Sequence, residues 1–121
     1  MNIKIDTKEK FTVITPEEKL ISANMSEELV AVLTAFLQKD IPHVILCLKS
    51  VESIDQISAD KLLSIQNQFY ENNASFVICE VNRNNTSLFD NSCNITPTVS
   101  EAMDIVQMEE IERELFNDFN Q

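Results

Sequence analysis

Not one of the 121 residues is glycine. Glycine is the residue that reaches positive φ, or lets the backbone approach a ligand closely, at little cost. A chain without it carries no GxGxxG dinucleotide loop, no Walker A loop, no EF-hand loop and no GxSxG nucleophile elbow. The usual nucleotide-binding architectures are therefore not expected. Left-handed turn positions must fall to Asn and Asp, which tolerate them next best. Asn72-Asn73, residues 82–85 and Asp90-Asn91 are placed for that work.

A length of 121 residues fits one domain, and 44% hydrophobic with 24% charged residues is ordinary for a packed globular protein. A single domain over residues 1–121 is expected, with 107–121 a C-terminal helical extension. The formal net charge of −11 would repel nucleic-acid phosphates and anionic lipid, which leaves solubility or a basic protein partner as the use of the acidity. The first eleven residues hold no apolar run suited to a signal peptide. The most apolar stretches, 29–37 and 44–48, fall far short of the roughly 18 residues needed to cross a bilayer. A cytoplasmic protein without membrane insertion is expected. Cys47, Cys79 and Cys93 are an odd number without CxxC spacing, which reads as reduced thiols serving as small hydrophobes.

Along the chain, residues 2–5 and 11–14 read as two short strands, and 19–23 as a third. Asn24 followed by Glu27 fits a capping box, after which Leu29, Val30, Leu33, Phe36 and Leu37 form one apolar helical stripe ended before Pro42. The apolar run 44–48 is the pattern of a strand covered on both faces. A helix over about 58–70 follows, with Leu62, Leu63, Phe69 and Tyr70 inward, then a buried strand over 75–81. Residues 82–97 are irregular, with a short helix near Leu88 and a brief edge strand at 93–95. Thr98 and Glu101 form a second capping box opening the last helix. Strands alternating with helices imply an α/β fold whose central sheet of four to five strands is mixed but largely parallel, with helices packed on it.

The last helix changes face. At 100° per residue Val99, Ala102, Met103 and Val106 share one side, while Met108, Ile111, Leu115 and Phe119 share nearly the opposite one. One straight helix cannot bury both against one body. Either it breaks near Gln107 and the second piece folds back, or it runs on and presents an apolar stripe as a partner or homodimer surface.

Catalytic constellations are scarce. His43 is the sole histidine, so every nucleophile scheme that needs an imidazole must use it. It sits at the N-terminal end of the 44–48 strand, opposite to where open α/β sheets place ligands, and reads as a partly exposed loop residue. The thiols look scattered through strands, so no metal centre and no cofactor are expected. A phosphoacceptor receiver domain would need acidic residues where the strand ends offer Lys49-Ser50 and Glu80.

One segment stands out: residues 44–63, VILCLKSVESIDQISADKLL, a buried strand, a turn ending in Ile54-Asp55, and a helix start. It resembles the STAS domain, the family of bacterial anti-sigma-factor antagonists and of cytoplasmic domains of sulfate transporters. Its signature at this point is Ile-Asp-Ser-Ser-Gly-Leu-Gly, with the second serine as phosphoacceptor. The element order and Ser100-Glu-Ala102 in the last helix are also similar, and the resemblance runs over about 1–106. Carried over without gaps, Ile54 and Asp55 match, Gln56 falls on the first serine, Ile57 on the phosphoacceptor, Ser58 on the glycine and Ala59 on the leucine. The position the family would phosphorylate thus carries no hydroxyl.

The resemblance implies a non-enzymatic signalling module that regulates transcription. It would dock an anti-sigma factor or kinase-like regulator through Asp55, Gln56, Ile57, Ser58 and the second helix, without the usual serine switch. Ser58 is read as the N-cap of the second helix, with phosphorylation of its hydroxyl as the other reading. Asp55 is read both as partner-facing and as a cap of the turn. An accessory subunit of a membrane transport complex is the second reading of the chain. A small-molecule sensor or enzyme is the third.

Overall fold

The computed structural model describes residues 1–89 and 94–119, the side chains of 118 and 119 excepted. Strands β1 (Ile3–Thr7) and β2 (Thr12–Pro16) form an antiparallel hairpin. Helix α1 (Ala23–Ala35) leads to β4 (Val44–Cys47), helix α2 (Gln56–Glu71) to β6 (Phe76–Cys79), and β7 (Ile95–Thr96) to helix α3 (Val99–Phe119). The five strands lie in the order β1-β2-β4-β6-β7, all pairs but the first parallel. The mixed, largely parallel sheet is as the alternation of elements implies.

Two further short strands, β3 (Leu20–Ile21) and β5 (Ser53–Ile54), pair in parallel apart from the main sheet. The expected third strand thus belongs to a separate ladder, and this ladder leads directly into both α1 and α2.

Strand alternation divides the core. Val44, Leu46, Phe76 and Ile78 point to one face and pack with Leu29 and Leu33 of α1 and Leu62, Ile65 and Phe69 of α2. Ile45, Cys47, Val77 and Cys79 point to the other, under Ala102 and Val106 of α3. Both faces are covered, so β4 and β6 are apolar at every position. Leu62 and Phe69 are buried as expected, whereas Leu63 and Tyr70 are only half-buried.

Several sequence expectations are corrected. The Asn24 capping box does not form: α1 starts one residue earlier, with Ser22 at the N-cap and no cap bond from its side chain. The cap of α2 is Asp55, not Ser58, which lies in the first turn. His43 is not a loop residue at the surface but 7% exposed. Among the described residues, positive φ occurs at Asn73 (59°), where α2 ends as expected, and at Glu80 (55°). Residues 82–85 join a 3₁₀ turn over Arg83–Leu88 instead, while Asp90-Asn91 and Cys93 lie outside the described residues. At the second capping box the Thr98 half forms, the Glu101 N–H donating to Thr98 Oγ1 at 3.2 Å.

Candidate functional site

The turn between β5 and α2 is organised by one carboxylate. Asp55 Oδ1 accepts the Ser58 backbone N–H at 2.8 Å, and Oδ2 accepts the Ala23 backbone N–H at 3.0 Å. Ala23 opens α1, so a single side chain satisfies one orphan donor at each of two helix N-termini. The positive ends of both helix dipoles favour the charge. The neighbouring Ser58 hydroxyl and backbone N–H hold the Asp55 carboxyl below its usual range against desolvation, with a smaller contribution from the Ala23 N–H.

Around that anchor the first turn of α2 sorts its side chains. Gln56 is exposed, its Nε2 donating to Asp60 Oδ1 at 2.8 Å and to the Leu88 carbonyl at 3.3 Å. Ile57 projects outward, 58% exposed. Ser58 faces inward, 0% exposed, and its hydroxyl has no partner in hydrogen-bonding geometry. The first-turn side chains presented outward are thus Gln56 and Ile57. Leu20, on the β3–β5 ladder that enters the same turn, is likewise exposed.

The second region is the far half of α3. The helix does not break near Gln107 but continues to Phe119. Ala102 and Val106 are buried, whereas Met108, Ile111, Leu115 and Phe116 are 55–68% exposed. The Phe119 side chain lies outside the described residues. Polar bonds along the flank tie the helix to the body. Tyr70 Oη donates to Glu109 at 2.9 Å, and Arg113 donates to Ser75 Oγ at 2.8 Å and to Glu110 Oε2 at 3.3 Å. His43 sits beneath: Nδ1 accepts the Ser75 N–H at 3.0 Å, and Nε2 meets Glu110 Oε2. A ring that accepts at Nδ1 is neutral, with its proton on Nε2 facing Glu110. Burial accordingly lowers the His43 pKa, the opposing pull of Glu110 being the smaller influence. His43 is a buried strut joining strand ends to α3.

No helix among the described residues is long and apolar enough to cross a membrane. No curated protein matches the chain by sequence. Among solved structures, an anti-sigma factor antagonist from Mycobacterium paratuberculosis is similar over 88% of this chain and 93% of its own, at 15% identity and a TM-score of 0.74. An anti-sigma-factor antagonist (STAS) domain protein from Planctomyces limnophilus is similar over 87% of this chain and 97% of its own, at 19% identity and a TM-score of 0.72. The murine solute carrier 26 family member A9 anion transporter is similar over 82% of this chain and 18% of its own, at 12% identity and a TM-score of 0.66. At these identities the likeness is one of fold. The STAS domain family model matches residues 2–102, from the first strand through the opening turn of α3, and the chain belongs to the STAS domain family.

Proposed function

We propose that this STAS domain is a non-enzymatic protein-interaction module of the anti-sigma-factor-antagonist kind, working in the cytoplasm and docking a regulatory partner through the tip formed by Asp55, Gln56, Ile57 and Ser58. The observation that carries the reading is the exposure of Ile57 on a turn that Asp55 fixes from two sides. Burying a side chain of this size contributes up to about 1.5–3 kcal/mol. Here the residue stands on a rigid support, so little ordering entropy opposes docking.

The same geometry bears on regulation. In a serine-operated switch, a phosphate at this helix start would add about −1.5 to −2 charges and repel an acidic partner surface. Ile57 offers no oxygen, and the adjacent hydroxyl, on Ser58, is buried. The docking surface is therefore held permanently in its neutral state. An anti-sigma factor or kinase-like regulator is the partner this chemistry fits best. With a net charge of −11, nucleic acid is disfavoured.

The test is affinity capture from the native host with the wild-type chain and with Ile57→Asp, followed by mass spectrometry. The reading expects a histidine-kinase-type ATPase retained by the wild type and lost by the variant. Capture of a transporter ATPase would favour the alternative, an accessory subunit of a membrane transport complex. A partner held equally by both chains would remove the tip from the account. Incubation of wild type and Ile57→Ser with the captured kinase and ATP then reads the switch. Phosphate is expected on the variant only, and phosphate on Ser58 of the wild type would refute the locked state.

A further inference from the structure

Cys47 and Cys79 lie 32 positions apart in the sequence, yet β4 and β6 place them opposite one another in the ladder. Both point to the α3 face and are buried, at 1% and 0% exposure. Strand alternation would send Glu80 the other way, with Ile78. Instead Glu80 adopts a φ of 55° just after the strand, its N–H held by the Thr96 carbonyl at 3.1 Å. Its carboxylate thereby comes back over Cys47, with Sγ 3.3 Å from Oε2. Left-handed backbone costs a residue with a Cβ roughly 1–2 kcal/mol, and what this turn achieves is to bring an acidic oxygen to two sulfurs.

We propose that Cys47, Cys79 and Glu80 form a binding site for a thiophilic d¹⁰ divalent cation of the zinc type, with a fourth position open on the Glu80 side. The two sulfurs and a carboxylate oxygen lie within 4.8 Å of one another, the one such cluster of His, Cys, Asp and Glu among the described residues. Tetrahedral zinc, with Zn–S near 2.3 Å and Zn–O about 2.0–2.2 Å, needs sulfur–oxygen edges of about 3.5 Å and a sulfur–sulfur edge of about 3.8 Å. The 3.3 Å separation already meets the first. Thiolate donors select for zinc-like ions over magnesium or calcium. Three protein donors with one position left to water is the arrangement of an open site, not of a closed structural one.

The alternative is that two core thiols merely fill space. Packing alone does not account for a half-buried carboxylate turned onto them, because acidic groups crowded in low dielectric need a proton or a cation between them. In the metal-free protein protons do that work. Cys47 Sγ donates to Glu80 Oε2. Binding M²⁺ releases both thiol protons to solvent and forms two metal–sulfur bonds and one metal–oxygen bond, with no change of oxidation state.

The experiment is titration of the reduced, metal-free full-length chain with Cd(II). The readouts are the ultraviolet cadmium–thiolate charge-transfer absorption and proton release in weak buffer, with competition by Zn(II). One ion per chain with two protons released is expected. The band is expected to vanish in Cys47→Ser and in Cys79→Ser, and to persist in Cys93→Ser. Glu80→Gln should keep the band but weaken binding about tenfold or more. Absence of the band in the wild type would overturn the site, whatever the folding of the variants. So would a band lost in Cys93→Ser but kept in Cys47→Ser.

Discussion

The tip of α2 and the far half of α3 both display apolar side chains, yet they are held in place by opposite chemistry. At the tip, a charged carboxylate bridges two helix N-termini and leaves Ile57 outside. Along α3, an uncharged imidazole and an arginine tie the helix to the strand ends at His43 and Ser75 and leave Met108, Ile111 and Leu115 outside. One anchor requires ionisation and the other forbids it. An exposed apolar residue is therefore no guide to rigidity by itself; the titration behaviour of the group beneath it decides under which conditions the surface persists.

The largest effect that would break this contrast comes from Asp55→Ala. It uncaps α1 and α2 together, so it should lower the thermal midpoint by several degrees, more than any other single substitution at either surface, with Asp55→Asn intermediate. A midpoint like wild type by differential scanning calorimetry would mean the double cap is incidental. Deleting residues 108–121 should cost less, about 1–3 kcal/mol through the hydrogen bonds lost at His43, Ser75 and Tyr70, because Ala102 and Val106 keep the first half of α3 on the sheet. The truncated chain should remain folded by circular dichroism. Any self-association carried by the apolar stripe should disappear in sedimentation velocity. An unfolded product would assign the stripe to the core.

Acid separates the two regions at smaller cost. The folded His43 pKa lies below the unfolded value of about 6.5. Its contribution is therefore complete above that value, declines as pH falls through it, and is lost below the folded pKa. The charged groups that face it are Glu110, Glu109 and Arg113. Asp55, its pKa depressed below the ordinary 3.8, contributes in full above that value and loses the contribution only as pH falls from there through the folded pKa. Hydrogen exchange at pH 7 and pH 5, corrected for intrinsic rates, should show faster exchange over 107–116 and no change in the first turn of α2. Equal acceleration of both segments would erase the distinction.

What the sequence made legible follows from how local each determinant is. The strands at 44–48 and 75–81 announce themselves as unbroken apolar runs, and the face change of α3 as a break in periodicity. The β3–β5 ladder is two residues long on each side and leaves no pattern. The cap of α1 was misread because its acceptor, Asp55, lies 32 residues away, and the nearer Asn24–Glu27 spacing imitated a local solution. Ser58 suffered the same error, a good capping residue standing three positions beyond the one that caps. The burial of His43 depends on Ser75 and Glu110, both distant in the chain. The thiols looked scattered because only strand register sets Cys47 against Cys79.

The central claim is that the tip, not the α3 stripe, is the docking surface. Titration calorimetry with the captured regulator, comparing wild type, Ile57→Asp and Ile111→Glu, tests it most directly. Both substitutions replace an exposed apolar residue, so folding is unaffected within about 0.5 kcal/mol and affinity alone is read. Ile57→Asp should weaken binding by tenfold or more, since a loss of about 1.4 kcal/mol already does so, while Ile111→Glu binds as wild type. Wild-type affinity in Ile57→Asp together with loss in Ile111→Glu would contradict the account.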